Sequence, residues 1–275
     1  MKIVEDLHVH TKFSKDSKEE PINYVNLAMD RDISYLGFSE HIDLDPFDKD
    51  FGYYKFNETY EEYKRLKDFV DNKFELLFAS ELTYQSNLHS SIENEVLTKP
   101  FDYIIGSVHR IDGYTISGPH GVDYFKDIDE YTAYMRYFEE VLRLVETDYY
   151  DIVGHLDVIK RYGKNYYGEF HIDKYIDIIA EILKRVIEKG KVIEINASAF
   201  RQGFSMPYPS KEILELYVNL GGREVVLGSD SHSAKQFNAY LEETILFAKS
   251  VFDFEIVSYK MRNKRKVSKL SNLIK

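Results

Sequence analysis

Cysteine is absent from this chain of 275 residues, and its absence limits both stabilisation and metal binding. No disulfide can form, and any metal must be held by nitrogen and oxygen ligands instead of thiolates. Long apolar runs are absent as well, since no stretch approaches the length of a membrane span. The first residues carry acids, Glu5 and Asp6, where a secretory signal peptide needs an apolar stretch. These absences predict a cytoplasmic protein that makes no contact with a membrane.

Positive charge is in short supply, with 36 lysines and arginines against 47 aspartates and glutamates and a formal net charge of -11. Proteins bind nucleic-acid backbones mainly through clustered lysines and arginines, so this balance argues against a nucleic-acid partner. The main basic cluster lies near the end of the chain, at residues 260–266. Such a cluster can contact a polyanion, but it is more typical of a solvated last strand and terminus. We expect the second arrangement.

Linker-like segments are also missing, because no stretch rich in Pro, Gly and Ser, no fixed-period repeat and no low-complexity segment interrupts the chain. Short apolar runs alternate with segments of helical period, and seven such units in series predict a parallel α/β sheet with helical crossovers in a single domain, residues 1–275. Strands are predicted at residues 3–8, 35–41, 74–82, 103–109, 152–157, 192–197 and 225–230, and helices at 21–30, 57–72, 127–145, 173–189, 210–220 and 234–250. The irregular stretches 44–55 and 111–123 are predicted to be long loops beside the strand ends.

The residues with the most chemical potential fall at the C-terminal ends of the predicted strands. They are His8, His10, His41, Glu81, His109, His155, Asp157, Asn196, Asp230 and His232. Active sites of (β/α) barrels are assembled at that end of the strands. Alternate residues of a strand share a face, so His8 and His10 present two imidazoles together. A lone histidine at a strand end is usually structural, but six in register favour a site for a divalent transition metal.

Short motifs at these strand ends follow one another from residue 6 to residue 232. They are DLHVHT at 6–11, DS at 16–17, SEH at 39–41, SE at 80–81, SVH at 107–109, GHLD at 154–157, INA at 195–197 and GSDSH at 228–232. In this order the chain resembles the polymerase and histidinol phosphatase (PHP) superfamily, and specifically its histidinol-phosphatase branch. The resemblance covers almost the whole chain. It implies a distorted seven-stranded (β/α) barrel, similar to a TIM barrel, with a metal site at the C-terminal ends of the strands.

The resemblance also implies a set of ligands for two or three divalent metal ions. The first ion would take His8, His10, Glu81 and Asp230. The second would take His109, His155 and a bridging Glu81, and the third would take Asp16, His41 and His232. Many superfamily members have a histidine at the position of Asp16. An aspartate at this position is similar to the histidinol-phosphatase branch, and it could leave the third site partly occupied. Zinc, iron and manganese all suit these ligands, so the metal stays open.

Such a cluster would be suited to phosphate ester hydrolysis. Three divalent ions carry more positive charge than the carboxylates Asp16, Glu81 and Asp230 neutralise, so the centre would attract a phosphate dianion. It would also lower the pKa of a bridging water to about neutral, which makes a metal-bound hydroxide the nucleophile. Arg161 and Arg201, on loops after ligand strands, are expected to bind the phosphoryl oxygens through their guanidinium groups, as the resemblance also suggests.

Three further residues have open roles. Asp157 could orient His155, assist protonation of the leaving alcohol, or cap the end of its strand. His120, on a flexible loop after a ligand strand, could reach the substrate or the leaving oxygen. Glu40 should point away from the site if its strand is regular, and we expect its carboxylate to form a structural ion pair.

The resemblance implies hydrolysis of L-histidinol phosphate to L-histidinol and phosphate, a step of histidine biosynthesis. An alternative within the superfamily is a phosphoesterase that acts on another small phosphomonoester or a nucleotide. Two other classes compete: a metal-binding module without turnover, and an amidohydrolase-type barrel acting on C–N or ester bonds. The filled ligand positions oppose the first of these, and Glu81 in place of a lysine-derived bridge opposes the second. The oligomeric state stays open.

Overall fold

In the computed structural model, which describes residues 2–118 and 121–274, parallel strands alternate with helices along most of the chain. The strands are β1 (Glu5–Val9), β2 (Tyr35–Ile42), β3 (Glu75–Thr83), β4 (Tyr103–Ser107), β5 (Arg110–Ile111), β6 (Tyr114–Thr115), β7 (Ile152–Val153), β8 (Val192–Asn196), β9 (Glu224–Gly228), β10 (Glu255–Lys260) and β11 (Asn263–Lys269). The helices are α1 (Pro21–Asp30), α2 (Phe56–Val70), α3 (His89–Leu97), α4 (Val122–Lys126), α5 (Glu130–Glu146), α6 (Lys160–Tyr167), α7 (Ile176–Glu188), α8 (Ser198–Arg201), α9 (Lys211–Asn219), α10 (Leu241–Val251) and α11 (Leu270–Leu273).

Seven of these strands form a barrel. The main sheet has the order β1-β2-β3-β4-β7-β8-β9, and each neighbouring pair in that series is parallel. The two ends of the series meet just beyond β9, where His10 N donates to Ser231 O at 2.8 Å and Ser231 N donates to His8 O at 3.3 Å. Because β7 is only two residues long and the register shifts within β1, the barrel is irregular. The predicted distorted (β/α)7 barrel is confirmed.

Apolar side chains separate into two buried clusters. The larger cluster lies between the strands and the helices and includes Phe78 of β3. The smaller cluster contains Leu77, the neighbour of Phe78, together with Ile105 and Val226 from other strands. Since successive residues of a strand point to opposite faces, the smaller cluster fills the barrel interior. This packed interior supports the C-terminal ends of the strands, where the predicted site lies.

The helices pack an apolar face against the strands. In α7 the buried residues Ile179, Ile182, Leu183 and Val186 recur at three- and four-residue spacing, which places them on one face. Helix α1 begins with Pro21 at its first turn, where the missing N–H has no partner to lose. Among the described residues, no helix has the length and apolar character that a membrane crossing requires.

A hairpin of β10 and β11 closes the end of the barrel opposite the site. Strand β10 pairs with β9, and its Tyr259 joins the interior cluster. Two arginines of the basic segment 260–266 are paired with acids at the N-terminal ends of barrel strands: Arg262 Nε lies 2.8 Å from Asp151 Oδ2, and Arg265 Nη2 lies 2.5 Å from Glu75 Oε2. The expected last strand is therefore confirmed, and these arginines form ion pairs within the protein.

Several predicted boundaries differ from the structure by up to three residues, and two differ by four residues or more. The fifth barrel strand was predicted to continue to residue 157, but β7 ends at Val153, because His155 O accepts from Val158 N at 2.8 Å and the chain turns into α6. The last predicted helix starts at Leu241 and not at residue 234, since Asn238 and Tyr240 adopt positive φ angles of 56° and 63° that interrupt a helix. The predicted loop at 44–55 is free of helices and strands, whereas the stretch 111–123 contains part of the β5–β6 hairpin.

Candidate metal centre

The nine predicted ligands converge at the C-terminal mouth of the barrel, with the carboxylate of Glu81 at their centre. Glu81 lies near the end of β3, and its register partner on β2 is His41. Glu81 Oε1 lies 2.8 Å from His155 Nε2 and 3.2 Å from His109 Nε2. These two imidazole nitrogens are 3.3 Å apart. One carboxylate oxygen and two ring nitrogens therefore surround a single point on this side of Glu81.

The other oxygen of Glu81 belongs to a second group. Glu81 Oε2 lies 3.2 Å from His8 Nε2 and 3.4 Å from His10 Nε2. Asp230 Oδ1 completes the group, at 3.9 Å from His8 Nε2 and 3.6 Å from His10 Nε2. His8 and His10 face the same way because they alternate at the end of β1, and Asp230 follows β9 beside them.

A third group lies toward solvent. Asp16 Oδ2 is 3.1 Å from His232 Nε2 and 3.5 Å from His41 Nε2. His41 also approaches the bridging carboxylate, since its Nδ1 is 3.0 Å from Glu81 Oε2. The Asp16 side chain is 53% exposed, whereas Glu81 is 1% exposed. The third group is the most open to water.

The spacing and chemistry of these atoms fit bound divalent ions. Ligands placed tetrahedrally roughly 2.0–2.1 Å from one ion lie about 3.3–3.4 Å apart, and the contacts above fall around that value. His8 Nε2, His10 Nε2 and His41 Nδ1 are buried and have no hydrogen-bond partner among the described residues. Buried polar atoms without a partner are costly. Bound ions would supply the missing partners.

The carboxylate of Glu194 contacts a predicted ligand in each of two groups. Glu194, which is fully buried in β8, places Oε1 at 2.7 Å from His8 Nδ1. Its Oε2 accepts the backbone N–H of His155 at 2.9 Å. A carboxylate on Nδ1 keeps the proton there and leaves the lone pair of Nε2 for a metal. Glu194 therefore orients ligands that belong to both oxygens of Glu81.

Two hydroxyl groups connect further carboxylates to ligand imidazoles. Ser14 Oγ donates to Glu40 Oε2 at 2.6 Å and lies 3.2 Å from His10 Nδ1. Because the hydroxyl hydrogen is committed to Glu40, the oxygen accepts from His10, whose Nε2 then carries the lone pair. Glu40 also accepts from Thr11 Oγ1 at 2.6 Å. Glu40 thus points away from the metal centre as expected, but the predicted ion pair is wrong, since hydroxyl and amide groups are its partners.

The same arrangement recurs at the next ligand. Thr83 Oγ1 donates to Asp43 Oδ1 at 2.7 Å and lies 3.1 Å from His109 Nδ1. The hydroxyl again accepts from the imidazole, so the proton of His109 is held on Nδ1 and Nε2 faces Glu81. Asp43 follows β2 directly and also lines the adjoining cavity.

The charges of the cluster shift the pKa values of its members in opposite directions. Burial lowers the pKa of His8, but Glu194 and Glu81 outweigh burial, so this pKa lies well above its usual value. Burial raises the pKa of Glu81, but the surrounding imidazoles hold it well below its usual value. Burial and the neighbouring His41 keep the pKa of His10 well below its usual value. Without ions the cluster therefore retains protons that a metal must displace.

A cavity of about 260 Å³ opens beside the three groups. This volume lies below the roughly 300–1,000 Å³ typical of sites for drug-sized ligands, so it fits a small substrate. Arg161 lines the cavity, and its Nη1 donates to Ser117 O at 3.1 Å. Arg201 lies behind Asp230, because its Nη2 donates to Asp230 O at 2.7 Å. Its Nη1 is buried and has no partner among the described residues.

One predicted catalytic residue, Asp157, is not among the described residues that line this cavity. The carboxylate of Asp157 is fully buried, where Oδ2 lies 2.5 Å from Lys160 Nζ and accepts from Ser210 N at 3.0 Å. No contact between the Asp157 side chain and His155 occurs in the described part of the chain, so the predicted orienting role is not supported. Asp157 instead supports the turn before α6. His120 lies outside the described residues.

Sequence reasoning missed Glu194 and Asp43. For Glu194 a signal was available, because a charged residue interrupts the apolar run Val192–Asn196 in a strand that is buried throughout. A carboxylate in such a position requires a polar partner. For Asp43 the signal in the sequence is weaker, since this residue lies at the start of an acidic loop in which any of several aspartates could face the site.

The chain is similar to known proteins over most of its length. The PHP domain family model matches residues 6–198. A histidinol-phosphatase from Lactococcus lactis is 29% identical over 232 residues, which cover 84% of this chain and 85% of that protein. A probable histidinol-phosphatase from Thermotoga maritima is 26% identical over 255 residues, covering 92% and 94%.

A solved structure is similar over nearly the whole chain. It is the histidinol phosphate phosphatase from Lactococcus lactis in complex with zinc, L-histidinol and phosphate, with a TM-score of 0.85 at 25% identity, covering 96% of this chain and 99% of that one. The family model alone spans well over half of the present chain. The chain therefore belongs to the PHP domain family.

Proposed function

We propose that this protein is a metal-dependent histidinol-phosphatase, which hydrolyses L-histidinol phosphate to L-histidinol and phosphate in histidine biosynthesis. The observation that carries the proposal is the convergence of eight histidine and aspartate side chains around Glu81, beside a small cavity lined by Arg161. Support comes from relatives named histidinol-phosphatase that align over most of both chains. The similar structure from Lactococcus lactis contains zinc, L-histidinol and phosphate.

We further propose that the three groups of side chains hold two or three divalent ions. The ligands would be His8, His10, Glu81 and Asp230 for the first ion, Glu81, His109 and His155 for the second, and Asp16, His41 and His232 for the third. The exposure of Asp16 supports weaker binding at the third position, because an open site competes with bulk water. Zinc is supported by the Lactococcus lactis structure, while iron and manganese also suit these ligands.

The bound ions would polarise the phosphoryl group and lower the pKa of water to about neutral, so that a nucleophile forms at physiological pH. The protein itself orients the ligands and binds the substrate. Arg161 stands on the cavity wall with N–H groups left over after its contact with Ser117, and we assign it to the phosphoryl oxygens. We assign Arg201 to the same role, although it is not among the described residues that line the cavity, because its Nη2 donates to Asp230 O and its buried Nη1 has no partner among the described residues.

The proposal is tested by steady-state kinetics of purified protein whose metal content has been measured. We expect kcat/KM for L-histidinol phosphate to exceed that for a panel of small phosphomonoesters and nucleotides. Glu81→Gln serves as the matched control, since it keeps the shape of the bridge but removes its charge and should nearly abolish turnover. Equal kcat/KM values across the panel would reject histidinol phosphate as the substrate and leave a general phosphoesterase. Full activity of Glu81→Gln with unchanged metal content would reject the metal bridge.

A further inference from the structure

The cavity beside the metal centre contains more acids than the ligand groups use. Besides the ligands, it is lined by Asp43, Asp48 and Asp50, whereas Lys49 and Arg161 are the basic residues on its wall. An excess of carboxylates is unexpected in a pocket that receives a phosphate. It suggests that the remainder of the substrate is a cation.

Two of these three carboxylates already have charged partners. Asp48 Oδ2 accepts from Arg110 Nη1 at 2.9 Å, and Asp48 Oδ1 accepts from Asp50 N at 2.8 Å. Asp50 Oδ1 lies 2.9 Å from Lys15 Nζ. The buried Arg110 also donates to Gly113 O at 2.9 Å. These contacts hold the loop at residues 44–55 against the β5–β6 hairpin, so Asp48 and Asp50 shape the cavity wall.

Asp43 differs, because its partner is a neutral hydroxyl. Its Oδ1 accepts from Thr83 Oγ1 at 2.7 Å, and no lysine or arginine among the described residues pairs with it. Thr83 in turn contacts the Nδ1 atom of His109 at 3.1 Å. Asp43 therefore lies on the cavity wall at the edge of the metal centre, with Oδ2 left for another group.

This placement matches one part of the proposed substrate. In L-histidinol phosphate the primary ammonium stands on the carbon next to the one that bears the phosphate ester. A phosphate at the metal centre therefore holds the ammonium within a few ångströms of the ions, where a nearby carboxylate would compensate its charge. A half-buried carboxylate without a basic partner gains most from such a cation, because the pair forms in a partly desolvated cavity.

We propose that Asp43 binds the α-ammonium group of the substrate and so selects amino-alcohol phosphates over other phosphomonoesters. This inference rests on the proposed function. Asp43 has a second role in positioning Thr83, and the two roles involve different oxygens. The inference concerns the oxygen that does not contact Thr83.

Asp43→Asn separates the two roles, because the amide oxygen still accepts the Thr83 hydroxyl while the charge is lost. The test compares L-histidinol phosphate with 3-(imidazol-4-yl)propyl phosphate, which lacks only the amine. We expect kcat/KM to fall about 10- to 100-fold for the first substrate, as for the loss of a hydrogen bond to a charged group, and to change less than about twofold for the second. The metal content and inhibition by inorganic phosphate should match those of the wild type.

Asp50→Asn is the control, since it removes the same charge from the same cavity wall. It should leave the ratio of the two kcat/KM values unchanged. Equal losses on both substrates in Asp43→Asn, or the same selective loss in Asp50→Asn, would overturn the assignment to Asp43. A wild-type enzyme that hydrolyses neither substrate better than the panel would instead overturn the proposed function.

Discussion

Glu194 Oε1 lies 2.7 Å from His8 Nδ1 in the interior of the barrel, between strands that are 186 residues apart in the chain. The same carboxylate accepts the backbone N–H of His155. His8 and His155 contact different oxygens of Glu81. One buried residue thus supports ligands of both inner groups, so a change at Glu194 should affect two proposed metal positions together.

Glu194→Gln should weaken metal binding without removing a ligand. The amide can no longer hold the His8 proton as a carboxylate does, and we expect apparent metal affinity to fall about 10- to 100-fold, as for other groups that hold metal ligands in place. Metal analysis after dialysis should show less than the wild-type content, and added metal should restore most of kcat. Glu58→Gln, on the exposed first turn of α2, is the control. Unchanged affinity would contradict a supporting role for Glu194.

Gly228 is the close neighbour of this pair. A Cβ atom at residue 228 would lie 2.1 Å from Glu194 Oε1 and 2.6 Å from His8 Cβ. Both side chains are fully buried, so Gly228→Ala should cost about 1–3 kcal/mol of unfolding free energy. The variant should also lose metal, because His8 is displaced. Denaturation and metal analysis of the same preparation check both effects, and a variant with wild-type stability and metal content would contradict the crowding.

Substitution of Arg161 and substitution of Arg201 should have different effects on the metal content of the protein. Arg161→Ala should lower kcat/KM for phosphate esters about 10-fold or more and leave the metals in place, because Arg161 lines the cavity and, among the described residues, forms no hydrogen bond or ion pair with a proposed metal ligand. Arg201→Ala should also reduce the metal content, since Arg201 donates to the carbonyl oxygen of Asp230. Metal analysis beside steady-state kinetics makes the distinction. Metal loss in Arg161→Ala, or none in Arg201→Ala, would reverse these assignments.

Most of the ligand positions could be predicted because they follow local rules. His8 and His10 alternate on one strand, and Asp230 and His232 directly follow another, so strand periodicity places them before the fold is known. The roles of Glu194 and Asp43 could not be predicted in this way. Glu194 acts on His8 only because the barrel closes between the first and last strands, and Asp43 acts on His109 only through a hydroxyl of a third segment.

The orienting role considered for Asp157 lacks support for a related reason. Its motif, Gly-His-Leu-Asp, suggested a strand in which His155 and Asp157 share a face. The chain instead turns after Val153, and a turn does not preserve the alternation of a strand. His155 still reaches Glu81, whereas Asp157 is directed to Lys160. A two-residue strand is long enough for barrel pairing but too short to fix the direction of the residues that follow it.

The stabilisation that metals give should increase with pH. In the metal-free protein the pKa of His8 and that of His41 are raised well above 6.5, because neighbouring carboxylates outweigh burial. A raised folded-state pKa gives stability that is complete below the unfolded value of about 6.5 and is lost as pH rises through the folded value. Metal binding has the opposite dependence, since fewer protons must be displaced at higher pH.

The difference in Tm between zinc-loaded and chelator-treated protein should therefore grow between about pH 7 and pH 9. Thermal denaturation at several pH values in the same ionic strength measures it. The carboxylates do not alter the sign in this window, because the pKa values of Glu81 and Asp230 are lowered, so their contribution is lost only in acid. A Tm difference that stays constant or shrinks would mean that these imidazoles are not the groups from which the metal displaces protons. The ligand assignment at His8 and His41 would then fail, even if the protein binds metal elsewhere.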